Sequence, residues 1–318
     1  MIMRRSLLLL AAAVLAGAAS VASAQTYPSR PVTMVVPFPP GGNTDLMARA
    51  LQAELSKALN QSVIISNKGG AAGTIGLLDL VKAEPDGYTI ALTPNNPVTA
   101  QPHMQPNLRF GMDTFRYICL TYYTPYVLIA GPQAPFKTFA EFVRFAKAKP
   151  ENLVYGHPGV ASQPHLVMLG VLKAIGVDGL GVPFQGAGPM SHALLGGTIM
   201  AITESPPVAK ASNLPVLAAV SAERLASLPD VPTMKELGYP AIGFSAGGLI
   251  APAKTPDAVA SVLEKACATA AAAPEYKAIV ERLGAEPRYR PGDQFRAMFD
   301  EDSIANADAI KRAGLGAR

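Results

Sequence analysis

Five stretches of this chain place small residues, amides and hydroxyls where a strand gives way to a helix. They are Phe38-Pro39-Pro40-Gly41-Gly42-Asn43-Thr44-Asp45, Gly69–Thr74, Thr93-Pro94-Asn95-Asn96, Gly156–Gln163 (which contains Ser162) and Gly186-Ala187-Gly188-Pro189. Residues without bulk let a backbone approach a bound group closely, and the N–H groups of a helix's first turn have no partner inside the helix. The chemistry this offers is anion capture. A helix N-terminus contributes about 0.3–1 kcal/mol to a nearby anion, rising to about 2 when partly buried. Each hydrogen bond to a charged group adds about 1.5–3 kcal/mol. A few such bonds on one carboxylate, in a cleft that excludes water, reach the roughly 8 kcal/mol of a micromolar complex without an arginine clamp. Any one of these loops alone reads as an ordinary strand–helix turn, and Asp45 alone reads as a first-turn helix charge. Their combination carries the expectation.

Other chemistries fit less well. Gly243-Phe244-Ser245-Ala246-Gly247 matches G-x-S-x-G, which would make Ser245 the nucleophile of a serine hydrolase. That motif needs a helix straight after the serine and a histidine later in the chain. Here β-like residues follow, and His103, His157, His165 and His192 all precede it. Glu204, followed by Ser205, sits after a strand without an obvious partner acid; the pair reads as cleft-facing polar groups or caps. Tyr122, Tyr123 and Tyr126 read as core or hinge packing, with stacking on an aromatic ligand as the sharper option. No phosphate-binding P-loop, dinucleotide fingerprint or zinc-spaced His/Cys cluster occurs, so no cofactor or metal is expected. Export would permit a disulfide between Cys119, in a β-like run, and Cys267, in an Ala-rich helix. The pairing stays open, with two buried free thiols the expectation.

The elements that must position these loops alternate. Pro31–Phe38 reads as a buried strand and Thr44–Leu59 as a helix with Leu51, Leu55 and Leu59 on one face. Val63–Ser66, Gly73–Ala83 and Tyr88–Thr93 complete a βαβαβ order, which implies parallel strands and right-handed crossovers. After the β-rich stretch Tyr117–Gly131 a second α/β set follows: helix 138–147, strand 153–155, helices 166–175 and 190–195, and strands 199–203 and 216–220. Phe244–Ala251 reads as β again. Three helices close the chain at 256–272, 274–283 and 291–311, each with Pro in the first turn. Two sets joined by β-like crossings near Tyr122 and Phe244 predict two lobes with a cleft between them; the alternative is one continuous doubly wound sheet.

The first 24 residues read as an export signal: Arg4 and Arg5, an apolar run Leu7–Ala16, and Ala22-Ser23-Ala24 before a start at Gln25. The remaining 294 residues are long enough for two lobes. Without Arg4 and Arg5 the net charge of +4 falls to +2. With no basic stripe interleaved with aromatics, nucleic-acid binding has little support.

Several segments together carry a resemblance: YPSRPVTMVVPFPPGGNTD at Tyr27–Asp45, NKGGAAGTIG at Asn67–Gly76, PDGYTIAL at Pro85–Leu92, LPDVPTMKELGYP at Leu228–Pro240, GLIAPAKTP at Gly248–Pro256 and LGAEP at Leu283–Pro287. In this order they resemble the periplasmic substrate-binding proteins of the tripartite tricarboxylate transporter family, the Bug-type receptors. The resemblance implies a type II periplasmic-binding-protein fold, α/β, with two lobes and a hinged ligand cleft. The first domain would comprise residues 25–124 and 246–318, and the second 125–245. It implies a non-enzymatic receptor, exported to the periplasm and monomeric, that takes a small organic carboxylate (a dicarboxylate or an aromatic carboxylate) to a membrane permease. A receptor that signals through a membrane sensor is a variant of this reading. Carried over by position, Phe38, Gly41, Gly42, Thr44 and Asp45 would hold a carboxylate from one side and Ser162 from the other. Asn95, Gly186, Ala187, Gly188, Glu204 and Ser205 would supply the remaining specificity. The chain departs from the family pattern in places. Ala246 stands where a Trp is frequent, implying a locally wider cleft. The facing loop Tyr155–His165 keeps His165 but introduces His157-Pro158 and Pro164. Glu204 stands where Asp is common. The resemblance therefore leaves the identity of the acid open.

Overall fold

The computed structural model describes residues 27–184, 187–211 and 213–316. In chain order, β1 (Val32–Val36) leads to α1 (Asn43–Leu59), β2 (Val63–Asn67), α2 (Thr74–Val81) and β3 (Thr89–Pro94). Two single-turn helices, α3 (Asn96–Thr99) and α4 (Gln101–Met104), precede the long strand β4 (Phe115–Pro125). The second set comprises β5 (Val127–Ala130), α5 (Phe139–Ala148), β6 (Val154–His157), α6 (Gln163–Ile175), β7 (Leu180–Pro183), α7 (Ala187–Leu195), β8 (Ala201–Glu204), α8 (Pro206–Ala211) and β9 (Val216–Ala219). The chain closes through β10 (Phe244–Pro252), α9 (Asp257–Ala272), α10 (Pro274–Arg282), β11 (Glu286–Pro291) and α11 (Gly292–Arg312).

Local chemistry explains most of these bounds. In α1 the leucines spaced by four, Leu51, Leu55 and Leu59, are buried together, and Asn60 ends the helix in the left-handed region at φ 48°. α5 starts at a capping box in which Thr138 Oγ1 accepts from the Glu141 N–H and Glu141 Oε2 accepts from the Thr138 N–H.

The strands form two separate sheets, in the orders β11-β4-β10-β3-β1-β2 and β7-β6-β8-β5-β9, so the chain is not one continuous doubly wound sheet. β1 pairs in parallel with both β2 and β3. β10 is antiparallel to β3 and β4, and β11 adds to the far side of β4. In the second sheet β6 is parallel to β7 and β8, while β5 runs antiparallel to β8 and β9. Each sheet has its own apolar core, one built on Met34, Leu51 and Leu92 and the other on Leu128, Phe142 and Val171. The three C-terminal helices return to the first sheet's core through Leu263, Tyr276 and Phe295.

The chain passes between sheets at Tyr126 and again at Gly243, and the two passages bond to each other. The Tyr126 N–H donates to the Gly243 carbonyl at 3.3 Å, the Gly243 N–H to Val220 at 2.7 Å, and the Val220 N–H to Tyr126 at 2.8 Å. The tyrosine cluster packs here. Tyr122 and Tyr123 are buried; Tyr123 stacks on Phe244 with ring centroids 5.3 Å apart and receives the Arg288 guanidinium 4.0 Å from its own centroid.

The expectation of two free thiols is corrected. α9 packs against the sheet in the same core layer as β4, bringing the Cα atoms of Cys119 and Cys267 to 6.5 Å, and the two form a disulfide. Ala246 also differs from expectation. It is wholly buried in the first lobe beside Phe244, so the absence of Trp does not widen a cleft there.

Candidate functional site

Parallel α/β sheets present their binding crevices at the carboxyl ends of their strands. In the first sheet that edge carries the loops after β1, β2 and β3. The loop after β1 turns at Gly41 with φ +80°, where a side chain would be strained and where nothing lies within 4 Å of a Cβ position. α1 then starts at Gly42 with no side-chain cap, leaving its first-turn N–H groups available. Asp45, just inside the helix, holds the loop from behind. Its Oδ2 accepts from the Gly41 N–H and from Arg49 Nε, both at 2.8 Å, and its Oδ1 accepts from Asn67 Nδ2 at 2.9 Å. The same Asn67 amide donates to the Phe38 carbonyl at 3.1 Å. Burial would raise the Asp45 carboxyl, but the bonds from Arg49, Gly41 and Asn67 outweigh it and hold the group below its ordinary range. Thr44 is buried, its hydroxyl against Tyr122.

Asn95, after β3, is fully buried and engaged. Its Nδ2 donates to Asp302 Oδ2 at 2.8 Å, and its backbone N–H donates to the Ala246 carbonyl at 2.8 Å. Asp302, from α11, also accepts from Thr99 Oγ1 at 2.6 Å and Asn306 Nδ2 at 3.0 Å. Burial pushes its carboxyl up, against the pull of those bonds and one from Gln163. This buried anchor fixes the turn that carries Asn96. Sequence reading missed it, because its partners lie 207 and 203 residues away and leave no local signal.

In the second sheet the loop after β6 contains Ser162, which precedes α6 and donates from Oγ to the Gly159 carbonyl at 2.7 Å. α6 also begins without a side-chain cap. Ala161 adopts φ 54°, a conformation costing a non-glycine residue about 1–2 kcal/mol. Its N–H donates to His165 Nδ1 at 3.1 Å, which leaves the His165 proton on Nε2, 3.4 Å from the Tyr155 hydroxyl. His157 stacks on His165 with ring centroids 3.7 Å apart, its Nδ1–H donating to Gly159 at 2.8 Å. Burial, then the neighbouring His157, lowers His165 to about 4. Ala187 and Gly188 open α7 and are exposed; Gly186 lies outside the described residues. Glu204 ends β8 and Ser205 follows it. Glu204 Oε1 accepts from the Ser205 N–H at 3.0 Å, and burial pushes its carboxyl up to about 6 against that bond.

The two carboxyl edges meet. Asn96 Nδ2 donates to the Ala161 carbonyl at 2.9 Å. Beside it, a Cβ on Gly73 would sit 2.8 Å from Pro97 and 3.2 Å from the Phe38 ring, so the three packed residues bring the β1 loop to this bridge. A second contact joins Gly284 of the first lobe to Pro207 of the second. A groove of about 580 Å³ runs between α6 and α11, lined by Gln163, Gly243, Asp302 and Asn306 among others, and so borders the buried Asp302 anchor and the passage at Gly243. The Ser245 motif does not build an elbow: Ser245 lies within β10, which continues to Pro252. Among the described residues no group of three or more His, Cys, Asp or Glu is arranged to hold a metal ion, and no helix is long and apolar enough to cross a membrane.

The sequence profile of the tripartite tricarboxylate transporter family receptor matches residues 47–315. The chain is 32% identical to protein BugT of Bordetella pertussis, covering 94% of each chain. Among solved structures, a TctC solute-binding protein from Polaromonas is similar at 33% identity and a TM-score of 0.81, covering 90% of this chain and all of its own. MatC from Rhodopseudomonas palustris, solved with bound malate, is 30% identical with a TM-score of 0.73, covering 89% of this chain and all of its own. A further R. palustris protein, solved with adipate, is 26% identical with a TM-score of 0.76, covering 91% and 99%. With these proteins the chain shares the two-lobed type II periplasmic-binding-protein fold.

Proposed function

Because this chain belongs to the tripartite tricarboxylate transporter family of periplasmic receptors, which are solute-binding proteins and not enzymes, we propose that it captures a small organic carboxylate between its lobes and delivers it to the permease of a tripartite transporter. The observation that carries this reading is the pair of uncapped helices, α1 and α6: the start of α6 adjoins the Asn96–Ala161 bridge, and the loop leading into α1 packs beside that bridge through Phe38, Gly73 and Pro97. Their first-turn N–H groups suit a carboxylate that accepts several hydrogen bonds at once, and the Thr44 and Ser162 hydroxyls, which face Tyr122 and the Gly159 carbonyl, would rotate to donate to it on binding. Phe38, Gly41 and Gly42 line the first-lobe side of this grip, and Ala187 and Gly188 the start of α7 on the other. Asp45 and Asn95 serve by holding the loops, since their polar atoms are already engaged. The malate and adipate held by two of the similar proteins support the ligand class. Residues 1–24 act as the export signal, cleaved after Ala24, and the exported protein works as a monomer of domains 25–124 with 246–318 and 125–245.

Thr44→Val and Ser162→Ala test the grip. Each should weaken every acid the protein binds by a similar factor, on the order of tenfold or more, since each removes a bond to the shared carboxylate. Calorimetric titration reads this directly. Unchanged affinity in both variants would remove these loops from the binding site.

A further inference from the structure

Glu204 is out of character with a site built to attract negative charge. It is the last residue of β8, at the carboxyl edge of the second sheet, where Val127 pairs directly with it across β5. Alternation along β8 sends neighbouring side chains to opposite faces. Thr203 points to the α6 face, donating from Oγ1 to the Pro164 carbonyl at 2.6 Å. Ile202, and with it Glu204, lies on the face covered by Met190 and Leu194 of α7. Glu204 therefore stands beside the opening of α7 and next to the passage at Tyr126, whose hydroxyl feels its charge. Among the described residues one donor reaches it, the Ser205 N–H on Oε1, and no lysine or arginine pairs with it. A half-buried carboxylate with spare acceptor capacity and no cation is completed by a hydrogen-bond donor from outside the protein.

We propose, on the reading that this cleft holds a small carboxylate, that Glu204 is a specificity-determining residue that selects acids bearing a hydroxyl or amino hydrogen-bond donor over their unsubstituted parents. One carboxylate of the ligand meets the helix starts of α1 and α6, and the donor meets the free capacity of Glu204. A ligand lacking the donor leaves Glu204 unpaired in a water-poor crevice; the repulsion between the carboxylates is common to all these acids, and a donor-bearing acid offsets it with a hydrogen bond. Sites that hydrogen-bond a substrate group discriminate against analogues lacking it more sharply than apolar pockets do.

The test is calorimetric titration of the exported protein at pH 7.5 with two matched sets of probes: succinate, malate and aspartate, and glutarate and glutamate. In at least one set, a donor-bearing acid should bind at least tenfold more tightly than its parent. Glu204→Gln, nearly isosteric, should shrink that ratio to below threefold, and Glu204→Asp should retain the preference; thermal melting confirms that both variants fold. The inference is overturned if the parent acids bind as tightly as the substituted ones, or if the preference survives Glu204→Gln. If no acid of either set binds, while the native fold is intact, the receptor reading for such acids fails and takes this inference with it.

Discussion

Asp45 accepts bonds from Gly41, Arg49 and Asn67 while buried and ionised, so it fixes the loop after β1 without offering a free atom to a ligand. Asp45→Ala should cost on the order of 3 kcal/mol in urea unfolding, from the loss of charge-assisted bonds and the stranding of Asn67. It should also weaken binding, because Phe38 and Gly41 lose their support. A change in stability below about 0.5 kcal/mol, the scale of an ordinary surface substitution, would mean the loop stands without it. His165 gives a pH dependence of defined sign. Burial and His157 depress it from 6.5 to about 4 in the folded chain. Its contribution is present above pH 6.5 and is lost as pH falls toward 4. His165→Gln should therefore remove about 2 kcal/mol of the destabilisation seen between pH 7 and pH 5, measured as the shift in urea midpoint at the two values. Glu204 works in the opposite direction. Its raised folded pKa, about 6 against 4.5, makes its contribution greatest below 4.5 and diminishes it as pH rises through 6.

At the scale of elements, the alternation of apolar strands and amphipathic helices was legible because each element carries its own period. Helix α1 and strand β10 follow their sequence-based bounds within a residue or two. The strands that sequence reading passed over are edge strands with weak signals. Glu286–Pro291 reads EPRYRP, charged and flanked by prolines, yet it pairs with β4 because an edge strand can leave a proline side unpaired. Leu180–Pro183 is four residues long with one neighbour, β6. The candidate loops were legible for the same local reason, as glycine turns before helix starts. The Asn95–Asp302 anchor and the Cys119–Cys267 bond were not, because each joins residues far apart in sequence, brought together only by packing of the C-terminal helices on the first sheet. The disulfide spans 148 residues and encloses the whole second lobe, yet both its ends lie in the first core. Replacing both cysteines by Ala should lower unfolding stability by about 2–4 kcal/mol. It should leave ligand preference unchanged, as read by calorimetry on the folded variant. An altered preference would tie the bond to the cleft rather than to the core.

At the scale of the molecule, the two lobes meet through the passages at Tyr126 and Gly243, the Asn96–Ala161 bridge and the Gly284–Pro207 contact. Type II binding proteins that close over a ligand need contacts of this kind, made in one state and broken in the other, to bias the equilibrium. Asn96→Ala should leave each lobe folded, enlarge the radius of gyration seen by small-angle scattering in the absence of ligand, and weaken binding by favouring the open state. The family and the fold support the proposal that the protein captures a small carboxylate. The most direct measurement is the melting temperature of the exported protein, unfolded and refolded to strip any carried ligand, against a broad panel of organic acids. At least one small carboxylate should raise the melting temperature, and raise it further as its concentration increases above saturation. A natively refolded protein whose melting temperature responds to no carboxylate in the panel would contradict it.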